Sequence, residues 1–421
     1  MSAFLPAPAP LPQELIDTII DEAQYDVSTL ISLTSASPCC ARARTYLYRA
    51  IDLSQRSSAI RFFHLCVMDG RIRSYVQSIY VETLSTPDYT DFHHILQSLT
   101  EVQELTISGE YECIPPVLRG VFMTYNLSAL TLKDMEFDYA DLQAFVRPYP
   151  TLRRLSAFEV KVEEQEAPNA AENGQRSLES LSLSQTDFFT RASRGIGHGI
   201  PFILADIRRL VLMNTMASLN DLQQMLNVVH QPLEELYIYE PLILRGGGGA
   251  PTLDLTKIST LTLEIAVADS GPGKIQWTAH HFASRPVDKV CTTEINFVLT
   301  FPEGWHVVRS VQADIRRIQF QGAWDTLAVL LAGHLKSKIE RVRIIMSNQD
   351  SMERSGFLVM ARGLSEVWLQ SVRRRLTDVG GRSIKVGAIF REAETQPILP
   401  RSNGTYAWEV TNHLIYRSHS T

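Results

Sequence analysis

Few residues in this chain have the type and spacing to do chemistry, and their arrangement argues against catalysis. Gly195-Ile196-Gly197-His198-Gly199 is glycine-rich, but no strand pattern leads into it and no GxxG step completes a dinucleotide loop. Gly246 to Gly249 lacks the Lys-Ser/Thr of a phosphate-cradling loop and reads as a linker. His93-His94 and His280-His281 are adjacent pairs. Neighbouring side chains diverge on both helices and strands, which is poor geometry for sharing one metal ion. The cysteines are Cys39, Cys40, Cys66, Cys113 and Cys291, without a CxxC pair to begin a zinc site. Cys39-Cys40 have no recognisable nucleophile context, and no GxSxG elbow occurs. No metal, no cofactor and no enzymatic activity are expected. Arg373-Arg374-Arg375 reads as a solvated basic face, with a nuclear signal as the second reading.

Composition narrows the partners. Acidic residues total 46 against 40 basic ones, a net charge of −6, whereas a general nucleic-acid binder needs a basic excess. Hydrophobic residues make up 45% of the 421, enough for a core. The best apolar run, Leu327 to Ala332, falls far short of the roughly 18 residues of a membrane span. Prolines interrupt the apolar N-terminus, which has no basic start, so no secretory signal is expected. The sequons at Asn126 and Asn403 then read as accidental. An odd number of scattered cysteines suits a reduced, cytoplasmic or nuclear protein.

One pattern organises most of the chain: apolar, two others, apolar, one other, apolar. It appears as VQSIYV (76–81), VQELTI (102–107), LSALTL (127–132), LRRLSA (152–157), LESLSL (178–183), IRRLVL (207–212), LEELYI (233–238) and ISTLTL (258–263). Weaker copies are TTEINF (292–297), IRRIQF (315–320), IERVRI (339–344) and LSEVWL (364–369). The middle apolar residues fall at 79, 105, 130, 155, 181, 210, 236, 261, 295, 318, 342 and 367. Most of these steps are nearly equal, a regularity that unrelated strands lack. The last two apolar positions of each copy are two apart and share one face of a short strand.

Helical patterns lie between the strands, at 91–99, 115–125, 138–147, 218–230 and 323–335. In the fourth, Leu222, Met225, Leu226 and Val229 make one apolar side, with Asp221 near the first turn. A strand-helix unit cannot bury its apolar faces alone, but stacked units can, as a curved solenoid. The alternative is an ordinary α/β domain with coincidental spacing. Positions 159–176 read as an exposed acidic loop replacing one helix, 245–251 as a flexible loop, and 271–289 as an insertion. The pattern resembles the leucine-rich repeat, L-x-x-L-x-L-x-x-N/C-x-L. Its ladder position departs, holding Glu110, Met135, Thr186, Thr215 and Pro241 in place of Asn or Cys.

The segment up to Ser54 lies outside the repeat. Pro12 suits a first helical turn, and Leu11, Leu15, Ile16, Ile19 and Ile20 follow at helical spacing. Asp26 or Ser28 is placed to cap a second helix with Leu30, Ile31 and Leu33. A third helix is expected from Ala41 to Ile51, with Tyr46, Leu47 and Tyr48. Leu11-Pro12, Glu14-Leu15, Ile19-Ile20, Asp26, Leu30, Leu33, Ser35 and the closing Leu47-Tyr48-Arg49 with Ile51 resemble the F-box, in particular F-box-like proteins common in mushroom-forming fungi. Tyr48 stands where that family usually has Trp, and Cys39-Cys40 stand where another Trp is usual.

The resemblance implies a substrate-recognition subunit of a Skp–cullin–F-box ubiquitin ligase. Its Skp-type adaptor would dock on Leu11, Pro12, Leu15, Ile16, Ile19, Ile20, Leu30, Leu33 and Tyr48. Two readings remain open beside it: a helical cap over the first repeat, and a leucine-rich-repeat scaffold without a ubiquitin-ligase role. The expected organisation is a tail (1–10), the helical module (11–54), the βα solenoid (55–375) and a C-terminal cap or extension (376–421). The fold class is α/β.

A protein substrate is expected on the strand positions that alternate with the core. Arg209, Met213, Tyr237, Tyr239, Arg317, Arg341, Arg343 and Trp368 are the candidates. Met213 with Tyr237 and Tyr239 predicts an apolar patch, and Arg317, Arg341 and Arg343 a basic one suited to an acidic or phosphorylated ligand. Neither a nucleic acid nor a membrane is expected as partner.

Overall fold

Several neighbouring strands in this protein are joined through a shared carbonyl. Just ahead of one strand, a backbone oxygen accepts two successive N–H groups from the start of the next. A computed structural model describes residues 12–24, 26–35, 39–83, 90–109, 114–163, 176–184, 202–213, 219–229, 233–239, 257–266, 273, 275–279, 290–301, 322–327, 329, 339–348, 385–392 and 414–415. The protein is α/β, with a large, mostly parallel sheet and helices between strands. It divides into two units, Met1–Leu155 with Glu159–Glu163, and Ser156–Phe158 with Glu164–Thr421.

In the first unit, helices α1 (Gln13–Glu22), α2 (Val27–Leu33) and α3 (Cys40–Leu47) precede strand β1 (Ala50–Leu53). Helix α4 (Arg56–Met68) and a 3-10 turn (Gly70–Tyr75) lead to β2 (Ser78–Glu82). Then come α5 (Thr90–Gln97), β3 (Glu104–Ser108), α6 (Pro116–Phe122), β4 (Ala129–Lys133), β5 (Glu136–Asp138), α7 (Tyr139–Val146), β6 (Arg154–Phe158), whose last three residues are assigned to the second unit, and β7 (Lys161–Glu163). Strands β1 to β4 pair in chain order and in parallel, with Ile51, Ile79, Leu105 and Leu130 in one register row. The shared carbonyls are Arg49 O, Gln77 O, Gln103 O and Ser128 O, at 2.8–3.1 Å from their paired donors. Each shared bond satisfies a strand start that would otherwise leave a donor without a partner.

The core of this unit lies between the strands and the inner helix faces. Val81, Ile107 and Leu132 from the strands are fully buried, as are Leu96, Phe122, Leu142 and Phe145 from the helices. Local sequence sets the helix ends. Pro115 precedes α6 with a proline at its start, and the Asp138 carboxylate accepts from Asp141 N at 2.6 Å to cap α7. The Tyr125 hydroxyl donates to Leu96 O at 2.8 Å, tying one connection to the previous one.

The second unit holds β8 (Arg176–Ser177), β9 (Ser180–Ser184), β10 (Phe202–Ile203), β11 (Arg209–Met213), α8 (Leu219–Val228), β12 (Leu233–Tyr239), β13 (Ile258–Ala266), β14 (Glu294–Phe301), β15 (Arg341–Asn348), β16 (Lys385–Glu392) and β17 (Leu414–Ile415). The order is β9-β11-β12-β13-β14-β15-β16-β17, parallel except for the last pair. Leu181, Leu210, Leu236, Leu261, Ile295 and Val342 share one row.

Several expectations change. Helix α3 ends at Leu47, and Ala50–Leu53 is a strand paired with β2, so the sheet begins inside the stretch assigned to the helical module. The apolar residues Tyr46, Leu47, Tyr48 and Ile51 fit either period over so short a run, and pairing with β2 decides it. The copies centred on Ile318 and Val367 lie outside the described residues. Strand β14 pairs directly with β15, and β15 with β16. The acidic stretch 159–176 is not all loop: Val160 and Val162 are buried, and β7 pairs with β5. Within the insertion 271–289, positions 275–279 are helical and bury Ile275, Thr278 and Ala279. The segments 245–251 and 195–199 lie outside the described residues.

Candidate functional site

Helices α1 to α3 enclose a small core of Ile20, Leu30, Cys39 and Ala43, with Ile16, Leu33, Tyr46 and Leu47 packed against it. Helical geometry turns other apolar residues outward. Leu15, Ile19, Val27 and Ile31 are 52%, 53%, 59% and 55% exposed, an apolar surface on the first two helices. Of the residues expected to meet an adaptor, Leu15, Ile19 and Pro12 are therefore outside. Ile20 and Leu30 are core, Ile16 and Leu33 pack against it, Tyr48 is half-buried, and Leu11 lies outside the described residues. One stripe at helical spacing reads as one face in sequence; the two-sided use of α1 appears only once α2 and α3 are placed.

Polar contacts hold this module in one geometry. Arg42 Nε and Nη2 donate to the two Asp21 carboxylate oxygens at 2.7 Å each, and the Tyr46 hydroxyl donates to Asp21 Oδ1 at 2.8 Å. Arg42, and then Tyr46, hold the Asp21 carboxyl below its usual range. Asp26 caps α2, accepting from Ser28 Oγ, Thr29 N and Thr29 Oγ1 at 2.7, 3.1 and 2.7 Å. Those bonds, from Ser28 first, draw its pKa down to about 2.

The strand face opposite the core is more closed than expected. Thr106, Thr131, Ser182 and Thr262 are buried there, and Tyr237 is only 6% exposed. Tyr237 is thus not an open anchor. Met213 and Tyr239 are half-buried and directly paired in register, so that part of the expected apolar patch exists beside a buried Tyr237. Arg209 is partly exposed, 4.0 Å from Glu234, which also meets Arg208 at 3.4 Å. Arg317 and Trp368 lie outside the described residues.

At β14 and β15 the expected basic patch meets a carboxylate. Glu294 Oε2 is 3.1 Å from Arg341 Nη1, and Glu294 Oε1 is 3.1 Å from Arg343 Nη1. Beside them Asn296 is 4% exposed, donates to Thr262 Oγ1 at 3.2 Å, and has no partner for Oδ1. Sequence reasoning singled out the arginines and missed Glu294 and Asn296, both within the weak copy TTEINF. The available signal was their spacing of two, which puts both on the face away from Ile295 and Phe297.

A second cluster was missed altogether, at the ends of the first unit's strands. Lys133 Nζ sits 5.2 Å from the Tyr80 ring centroid. Burial lowers the Lys133 pKa and raises that of Tyr80. Asp134 and Glu159 follow β4 and β6 with φ of 51° and 53°, the left-handed region that most side chains avoid. Burial first, and then the Glu159 charge, push the Asp134 carboxyl up. The signal was an acid at the same place after two successive copies, Asp134 after LSALTL and Glu159 after LRRLSA. This sets a carboxyl whose pKa is raised by burial and by the Glu159 charge near an ammonium held on an aromatic face.

No protein-family model matches this chain. No curated protein matches it either. Among the described residues, no three His, Cys, Asp or Glu side chains converge to hold a metal ion, and no helix is long and apolar enough to cross a membrane. Among the described residues the geometry therefore offers exposed apolar residues on α1 and α2, a largely closed sheet face with a polar opening at Glu294, and the acidic pair Asp134 and Glu159 near Lys133.

Proposed function

We propose that this chain is an F-box-like substrate-recognition subunit of a Skp–cullin–F-box ubiquitin ligase, acting in the cytoplasm or nucleus. Helices α1 and α2 would dock a Skp-type adaptor, and the sheet would present a protein substrate. The reading takes each unit as a run of leucine-rich-repeat-like βα steps. In its favour is the recurrence of the doubly accepting carbonyl at Arg49, Gln77, Gln103, Ser128, Glu179, Arg208 and Thr293. At the ladder position Met135 is wholly buried, so an apolar contact replaces the usual ladder amide there.

One observation carries the reading: Leu15, Ile19, Val27 and Ile31 lie exposed over a core that is complete without them. Fully burying a large aliphatic side chain contributes about 1.5–3 kcal/mol, and these four are already nearly half-buried. Their burial on a partner would contribute on the order of 3–6 kcal/mol in all, an anchor rather than a whole interface. The remainder would come from polar contacts around it. In this reading the chain's contribution is proximity, holding substrate near enzymes that carry the chemistry.

The test is capture of purified Skp adaptor by the full chain, with Leu15→Asp and Ile19→Asp as variants. Both residues are outside the core, so the variants should fold while losing capture. Failure of the wild-type chain to capture the adaptor would sink the reading and leave a binding scaffold without a ubiquitin role.

A further inference from the structure

Two helices of the first unit carry the same outward stripe in opposite order. On α1, Leu15, Ile19 and Glu22 fall at i, i+4 and i+7, on one side of the helix, and all three are exposed. On α4, Arg61, Leu65 and Met68 fall at the same spacing and are also exposed, while Ala59, Phe62 and Cys66 are buried. Met68 is 85% exposed, and Val67 beside it 61%. Each stripe is two apolar side chains and one charge, but the charge closes the α1 stripe and opens the α4 one. Among the described residues, the side chains of Glu22 and Arg61 have no ion-pair partner, nor do Glu14, Arg56 and Arg71. The other charges of these elements are engaged: Asp17 and Asp21 with Arg42, Asp26 in its cap, and Asp69 with Arg44. What remains available is acidic on α1 and basic on α4.

We propose that α1 of one copy packs antiparallel on α4 of a second copy, with Glu22 against Arg61, Ile19 against Leu65 and Leu15 against Met68. The order of the stripes selects this alignment. Run parallel, the same helices would set Glu22 against Met68 and Arg61 against Leu15, each charge on an apolar group. Pairing α1 with α1, or α4 with α4, brings together only like charges. Within one copy the two stripes do not cover each other, since both stay exposed. The contact is small, so self-association is weak, on the order of tens of micromolar. The inference is independent of adaptor docking, although Leu15 and Ile19 serve both, so a second copy seated on α1 excludes an adaptor there.

The experiment is sedimentation velocity of the full chain over a concentration series. The weight-average sedimentation coefficient should rise with concentration, and less so at high salt. Glu22→Arg alone and Arg61→Glu alone should each weaken association about tenfold, because each sets like charges together. Mixing the two variants in equal amounts should restore it, since the reversed charges then meet each other. That rescue also excludes misfolding as the cause of the loss. A wild-type chain that stays monomeric at about ten times the expected concentration, single reversals without effect, or no rescue on mixing would each overturn the inference. Adaptor capture on the same preparation separates the two ideas. Capture by a chain that stays monomeric sinks only self-association, and self-association without capture sinks only adaptor docking.

Discussion

Arg154 and Glu104 lie far apart in the chain, and Arg154 Nη2 donates to Glu104 Oε1 at 2.8 Å. They begin β6 and β3, and β4 runs between those strands with Ala129 at the equivalent place. A methyl group there leaves room for two long side chains to meet above it. The Glu104 carboxylate is almost wholly buried, while Arg154 reaches partly to solvent.

Removing one partner of such a pair leaves a buried charge without compensation. Arg154→Ala is expected to destabilise the protein by about 2 kcal/mol, read as a lowered urea midpoint. Adding Glu104→Gln should recover part of that loss. Equal midpoints for Arg154→Ala and the wild type would contradict it.

The two-sided use of α1 makes a sharper contrast. Ile20→Ala empties a fully buried position and should cost about 2–5 kcal/mol of the helical module's stability. Leu15→Ala, on the same helix but exposed, should stay within about 0.5 kcal/mol. Hydrogen exchange of α1 amides measures both. Similar effects at the two positions would mean the faces have been assigned the wrong way round.

Asp26 couples α2 to pH. Its folded pKa of about 2 lies below the ordinary 3.8, so the cap's contribution is present above 3.8 and is lost as pH falls through about 2. Asp26→Asn should cap comparably but remove that acid dependence. Helical signal of the module, followed by acid titration, should show a smaller transition in the variant, with the part due to Asp21 remaining.

Asp134 behaves in the opposite sense. Its folded pKa is raised above 3.8, so the folded state holds that proton more tightly than the unfolded chain. The stabilisation is full below the unfolded value and disappears as pH rises through the folded one. Burial and Glu159 drive the shift, while Lys133 and Ser108 oppose it. Asparagine tolerates the left-handed backbone well and carries no charge, so Asp134→Asn should raise the neutral-pH unfolding temperature and flatten its pH profile. A lower unfolding temperature at neutral pH would refute this.

The strands were legible because their signal is local. Ile79, Leu105, Leu130, Leu181, Leu210, Leu236, Leu261, Ile295 and Val342 were placed from a spacing of two within each copy, and each lies in a shared core row. Helices α5, α6, α7 and α8 were legible by the same logic at period 3.6, with ends moved by a few positions, whereas α4 was not read. Ile51 was misplaced because four apolar residues fit either period. The direct pairing of β14 with β15 was hidden because a regular spacing says nothing about which strands are neighbours.

The candidate sites divide along the same line. Residue type and alternation were enough to name Arg341 and Arg343, and to put Leu15 and Ile19 on one helix. Only the tertiary structure gave the arginines a common carboxylate in Glu294, closed the face around Tyr237, and turned Leu15 outward while Ile20 went into the core. Sequence by itself determined which residues alternate and therefore where strands and helices form, since that depends on near neighbours. The folded chain decided charge and exposure, because those depend on partners remote in sequence, as Glu104 is from Arg154 and Glu294 from Arg341.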